Sequence, residues 1–224
     1  GLPLCHLVGG GSKAPKGLVL CPTRELAIQV TKALESFVER TNIRMVTIYG
    51  GAPYPPQNKA LRRGVDIVVG TPGRVIDHMS RGSLKMNDVK MFVLDEADEM
   101  LNMGFQDAID EILETASEER NTWLYSATMP KTVAKIASNY MKNPIEVTCG
   151  TKNQAASTVE HNYYLIDNRD RYKVLRRLVD SYSSIYAIIF CRTRAETQSV
   201  AERLQADGYN TGGLHGDMSQ VQRD

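Results

Sequence analysis

Met91-Phe92-Val93-Leu94 is a four-residue apolar run that leads straight into Asp95-Glu96-Ala97-Asp98. Such a run reads as a buried strand, which places Asp95 and Glu96 at its carboxyl end. In open α/β sheets that is the edge where ligands bind. An aspartate there can hold Mg²⁺, a hard cation preferring oxygen ligands, through water. The glutamate beside it can orient an attacking water or take its proton. The tetrapeptide has a plainer reading too, as acids opening a helix, where they complement the dipole.

Four more segments have the same strand-end character. Pro22-Thr23-Arg24-Glu25-Leu26-Ala27 follows one apolar run and opens a helix, whose first-turn amides suit phosphate. Gly50-Gly51 follows a second run and permits close backbone approach. Thr71-Pro72-Gly73-Arg74 follows a third, with Pro72 fitted to a first helical turn. Ser126-Ala127-Thr128 ends a fourth. Each alone reads equally well as a loop or a cap. Together, in this order, they do not.

The elements that must position these residues alternate along the chain. Strand-like runs fall at 17–21, 45–49, 65–69, 91–94, 122–125, 145–149, 163–166, 187–191 and 210–214. Several are continuously apolar, as strands covered on both faces are. Between them run helical stripes: Leu26, Val30, Ala33, Leu34, Phe37 and Val38, then Phe105, Ala108, Ile109, Ile112, Leu113 and Ala116. Tyr172, Leu175, Leu178, Val179 and Tyr182 repeat the spacing. The pattern predicts an α/β fold with parallel sheets flanked by helices. The small, polar stretch 150–158 reads as a linker between a lobe at 1–149 and a shorter one at 159–224.

With 42% apolar and 24% charged residues over 224 positions, the chain has material for a core and is not disordered. No apolar run approaches the ~18 residues needed to span a bilayer, and the start lacks the pattern of a signal peptide. No pair among Cys5, Cys21, Cys149 and Cys191 has C-x-x-C spacing, so no zinc site is expected. Reduced, buried thiols in a cytoplasmic protein are the expectation. The net charge of +1 conceals an asymmetry. Residues 1–90 carry 13 Lys+Arg against 6 Asp+Glu, residues 91–150 carry 4 against 11, and residues 151–224 carry 10 against 9. A first part at +7 suits a polyanion.

The ordered set resembles the helicase core of the DEAD-box RNA helicases, over essentially the whole chain. PTRELA (22–27), GG (50–51), TPGR (71–74), DEAD (95–98), SAT (126–128), IIFCRTR (188–194) and HGDMSQVQR (215–223) follow that family's order. The resemblance implies two RecA-like lobes with ATP between them and RNA across both. It makes Asp95 the residue serving Mg²⁺–ATP, and Glu96 the one that positions or activates the hydrolytic water. Asp98, Ser126 and Thr128 would couple nucleotide state to lobe closure. Thr23, Arg24, Gly51, Thr71 and Arg74 would hold the RNA backbone without reading its sequence, joined by Thr193, Gln220 and Arg223 from the second lobe.

The family's phosphate loop, G-x-x-x-x-G-K-[ST], has no match in these 224 residues. Gly9-Gly10-Gly11-Ser12-Lys13 is no substitute. Lys13 follows a serine, Ala14 stands where a metal-binding hydroxyl is needed, and the stretch precedes its strand. It reads as a surface loop. The resemblance therefore suggests the interior of a helicase core, with the phosphate loop before residue 1, a shortened second lobe, and late second-lobe motifs after Asp224. On that view the chain alone would hydrolyse no ATP, and the alternative is an RNA- or protein-binding module built on the same fold.

Overall fold

In a computed structural model that describes residues 1–149 and 159–223, the chain divides into two compact units, Gly1–Ala155 and Ala156–Asp224. The expected linker at 150–158 lies outside the described residues, as do the side chains of Gln220 and Val221.

The first unit is one parallel sheet between two layers of helix. Its strands are β1 (Gly17–Leu20), β2 (Met45–Ile48), β3 (Ile67–Gly70), β4 (Met91–Leu94) and β5 (Asn121–Leu124), in the spatial order β2-β3-β1-β4-β5. Every pairing is parallel, and Leu20, Gly70 and Leu94 stand level across the three central strands. β1 pairs with β3 on one side and β4 on the other, so the chain reverses its direction of travel beside the sheet's central strand.

Why the runs are apolar throughout is visible in the packing. Leu18, Leu20, Val68, Phe92 and Leu94 face a core closed by α3 (Tyr54–Arg63), α4 (Pro72–Ser80), α5 (Ala97–Asn102), α6 (Gln106–Thr115) and α7 (Lys131–Tyr140). Val19, Cys21, Ile67, Val69, Met91 and Val93 alternate with them and face α1 (Leu2–Val8) and α2 (Arg24–Val38). Alternate side chains of the three central strands thus enter opposite cores, which is why those strands are apolar on both faces. Of the α2 stripe Leu34 and Val38 turn inward, joined by Ala27 and Thr31, while Ala33 is exposed and Phe37 stays 45% exposed. The α6 stripe buries Ile109, Ile112 and Leu113.

The second unit departs from expectation. Among its described residues it forms a short 3₁₀ turn (Asn168–Asp170) and the helices α8 (Arg171–Asp180), α9 (Arg194–Ala206) and α10 (Gln220–Arg223), but no strand. The runs at 163–166, 187–191 and 210–214 form no strand, and neither does 145–149 in the first unit. A strand exists only through the ladder it shares with a neighbour. Apolar β-type sequence records the capacity to pair, not the partner. Their large side chains accordingly lie open, Leu165 at 93% and Phe190 at 91%. The cysteines divide likewise: Cys5 and Cys21 are buried, Cys149 is exposed and Cys191 half-buried.

Candidate nucleotide and RNA site

Each singled-out residue of the first unit stands where one of the five strands ends. Along that edge the strand order sets Gly51 after β2, Thr71 and Arg74 after β3, Thr23 and Arg24 after β1, Asp95, Glu96 and Asp98 after β4, and Ser126 and Thr128 after β5. The two groups are consecutive in sequence and take separate halves of the edge. The five residues assigned to RNA follow three adjacent strands, and the five assigned to nucleotide follow the other two.

β4 enters its loop through tight backbone bonding. The Asp95 amide donates to Leu20 O at 3.0 Å, tying the end of β4 to β1. The next residue, Glu96, adopts the left-handed conformation, φ 53° and ψ 53°. A non-glycine residue there is strained by about 1 kcal/mol, and such strain concentrates at functional positions. The turn lets Ala97 N donate to Tyr125 O at 3.0 Å and starts α5 at once, leaving the Glu96 side chain exposed beside half-buried Asp95. Burial raises the pKa of Asp95. It also raises that of Glu96, where the charges of Asp95, Asp98 and Glu99 add to the shift.

Asp98 behaves oppositely. Its carboxylate accepts from Thr128 N at 2.9 Å and Thr128 Oγ1 at 2.6 Å, while Ser126 Oγ accepts from Asp98 N at 3.3 Å and donates to Thr128 O at 2.6 Å. Burial raises its pKa, but the bonds from Thr128 and Ser126 outweigh that and hold it below the ordinary value. A lowered pKa means the charged form stabilises the fold above that ordinary value, 3.8, and the contribution fades as acid carries the pH down through the lowered one. Asp98→Ala is therefore expected to cost about 2 kcal/mol in urea unfolding at pH 7, with the gap from wild type closing below pH 3.8. A gap independent of pH would show that the charge contributes nothing.

The RNA-assigned residues are held differently from one another. Thr23 caps α2, its hydroxyl accepting from Leu26 N at 3.2 Å. Arg24 pairs with Glu25 at 3.1 Å and approaches the Tyr49 ring, 5.9 Å from its centroid. Gly51 sits at φ 80° in an exposed turn. Thr71 precedes α4, its amide donating to Ile48 O at 3.0 Å. Arg74 is the exception among the cations. Its side chain is 9% exposed, stacked 4.1 Å from the Tyr54 ring and bonded to Ala52 O and Gln57 Oε1.

In the second unit Thr193 caps α9, accepting from Glu196 N at 3.1 Å. Arg194 pairs with Asp217, and Arg223 donates to Met218 O at 3.1 Å and Gly216 O at 2.9 Å, so both reach the same turn. The side chain of Gln220 lies outside the described residues. Sequence reasoning missed Gln57, His78 and Tyr54, which surround Arg74. The one signal for them was Gln57 four residues before Leu61, on the face of α3 that is buried.

This edge has known counterparts. The DEAD/DEAH box helicase family model matches residues 1–136. The chain is 40% identical over 223 residues to the DEAD-box ATP-dependent RNA helicase CshA of Bacillus subtilis, covering 100% of this chain and 45% of that protein. It is 40% identical over 224 residues to the ATP-dependent RNA helicase DeaD of Haemophilus influenzae, covering 36% of it. The crystal structure of a DEAD box protein from the hyperthermophile Methanococcus jannaschii superposes with a TM-score of 0.60 at 38% identity, covering 97% of this chain and 59% of that one. The chain spans 36% to 59% of the length of the curated relatives it matches. A RecA-like sheet with D-E-A-D closing its fourth strand and S-A-T its fifth, matched by that family over 1–136, puts this chain in the DEAD/DEAH box helicase family.

Proposed function

We propose that the chain supplies ATP- and RNA-binding parts of an ATP-dependent RNA helicase, with 1–149 as the ATP-binding lobe, 150–158 as the linker and 159–224 as helicase C-terminal lobe. The observation that carries this is the partition of one sheet edge into a carboxylate-bearing half and an Arg- and Gly-bearing half. Among the described residues no group of three or more His, Cys, Asp or Glu could hold a metal ion. A lone half-buried carboxylate is what Mg²⁺ needs when phosphate and water complete its shell, and Asp95 fits that role. Bound Mg²⁺–ATP supplies the phosphoryl group to be cleaved and neutralises part of its charge.

On this reading Asp95 holds the metal through water, and Glu96, turned outward by its left-handed backbone, orients the attacking water and receives its proton. Asp98 fixes the Ser126–Thr128 turn, so a shift at the nucleotide is passed to the end of β5. Thr23, Arg24, Gly51, Thr71 and Arg74, with Thr193, Gln220 and Arg223, hold RNA by its backbone, an assignment supported by the +7 charge of residues 1–90. Among the described residues no helix is long and apolar enough to cross a membrane. A cytoplasmic location goes with the unpaired, buried thiols of Cys5 and Cys21.

Binding that addresses phosphates is blind to sequence and sensitive to salt. Arg24→Ala and Arg74→Ala are each expected to weaken binding equally for unrelated single-stranded RNAs. Each should also lower the slope of log affinity against log salt by ~0.7. A salt series run beside a thermal melt separates contact from support. An unchanged slope with a lowered melting temperature would reduce these arginines to structural residues.

A further inference from the structure

A buried polar cluster lies behind the Gly50-Gly51 turn. Gln57 on α3 is 5% exposed and His78 on α4 is fully buried. The Gln57 carbonyl Oε1 accepts from Arg74 Nη1 at 3.1 Å and lies 2.9 Å from His78 Nε2. An amide oxygen has no proton to give, so His78 Nε2 carries one. Burial, and then the Arg74 charge, hold His78 below its ordinary pKa. Its Nδ1 lies 2.7 Å from the Ser83 hydroxyl, which also reaches the His78 carbonyl oxygen at 3.0 Å.

With its oxygen committed to two donors, the Gln57 amide directs Nε2 to Tyr49 O at 3.4 Å. Tyr49 and Ala52 flank Gly50-Gly51. Gln57 thus grips the first of these carbonyls itself and reaches the second through Arg74, whose Nη1 also donates to Ala52 O at 3.0 Å. The turn's outer surface is open: no heavy atom lies within 4 Å of where a side chain would begin at Gly50, Gly51 or Gly73. Among the described residues, Arg74 Nη2 makes no hydrogen bond, although Nη1 makes two.

We propose that Gln57, locked by His78, is a positioning residue that sets the Gly50-Gly51 turn and the Arg74 guanidinium as one rigid cradle for the sugar–phosphate backbone of single-stranded RNA. This rests on the RNA reading above and deepens it. A free arginine must surrender several rotors on meeting a phosphate. Here the stacked and tethered guanidinium has surrendered them already, leaving the Nη2 edge for the ligand.

The test is anisotropy of labelled single-stranded RNA with the 224-residue chain across a salt series, for Arg74→Ala, Gln57→Met and the double variant. Gln57→Met is expected to weaken binding about fivefold and to lower the salt slope nearly as much as Arg74→Ala. The double variant should bind no worse than Arg74→Ala alone, because both changes disable one contact. Amide hydrogen exchange should quicken over 49–53 in Gln57→Met and stay unchanged in β1 and β4. His78→Leu, which removes the donor behind Gln57, serves with the same readouts if Gln57→Met does not fold. Wild-type affinity and slope in a folded Gln57→Met chain would overturn the positioning role even if its melting temperature fell, as would unchanged exchange over 49–53. If Arg74→Ala lowers the slope and Gln57→Met does not, the RNA reading stands and this inference alone fails. If Arg74→Ala changes nothing, the RNA reading of Arg74 fails first and the cradle goes with it.

Discussion

Glu96→Gln, in a helicase core where this chain is joined to a phosphate-loop segment, is expected to bind nucleotide within about threefold of wild type and to hydrolyse it about 10³-fold more slowly. The amide keeps the shape of the side chain but takes no proton, and loss of a general base costs 10²–10⁴ in rate. Asp95 beside it is untouched, so the metal and triphosphate contacts persist. The two quantities come from phosphate release and from titration with a fluorescent nucleotide. The 224 residues on their own are the control and should release no phosphate, since they contain no G-x-x-x-x-G-K-[ST] segment. Turnover at the wild-type rate by the glutamine variant would remove Glu96 from the mechanism.

The second large effect lies at the opposite end of the sheet and concerns stability alone. Asp66 is fully buried just ahead of β3. Its Oδ1 accepts from Ser12 N at 2.6 Å and its Oδ2 from Arg44 N at 2.8 Å, with Arg44 Nε 3.8 Å away. The Arg44 guanidinium continues the clamp, donating to Arg63 O at 2.8 Å and Ser12 O at 2.5 Å. One carboxylate therefore ties the segments leading into β1, β2 and β3. Asp66→Ala leaves two part-buried amides without their acceptors, and each such loss costs ~1–3 kcal/mol. The expected total is about 3 kcal/mol, a fall of roughly 10 °C in melting temperature for a unit of this size. Asp66→Asn keeps one acceptor and should lose about half as much. RNA affinity per folded molecule should not change, because the clamp is remote from the strand ends that bear Thr23, Gly51 and Arg74. A melting temperature within 2 °C or so of wild type would show that water satisfies these amides instead.

What was legible in the sequence was what a single segment can carry. The run 91–94 announced a strand because both of its faces are buried, and Asp95 followed it directly, so strand and site residue came together. The same held for Thr23 after β1 and Thr71 after β3. Asp66 passed unnoticed because it falls inside the run 65–69, and one acid among apolar residues looks like any solvated charge. Gln57, Arg74 and His78 were illegible as a cluster, since Gln57 comes from α3 and the other two, ordinary residues one turn apart, from α4, and only the packing of the two helices makes them partners. Glu96's left-handed backbone could not be read from its type, because glutamate has no preference for that conformation. The runs at 163–166 and 187–191 had strand composition without strand partners, and composition does not distinguish the two cases.

The position of β1 at the middle of the sheet has a consequence for synthesis. Its partners are made long after it, fifty residues later where Leu20 meets Gly70 and seventy-four later where Leu20 meets Leu94. At about 5–20 residues per second, a ribosome leaves Gly17–Leu20 without its second neighbour for roughly 4–15 s. Pairings so distant in sequence also form slowly once both partners exist. During that interval an apolar strand with bare amides and carbonyls along both sides is open to pairing with other nascent chains, or to capture by a holding chaperone. The strand at the centre of the finished sheet is the one that waits longest for its partners.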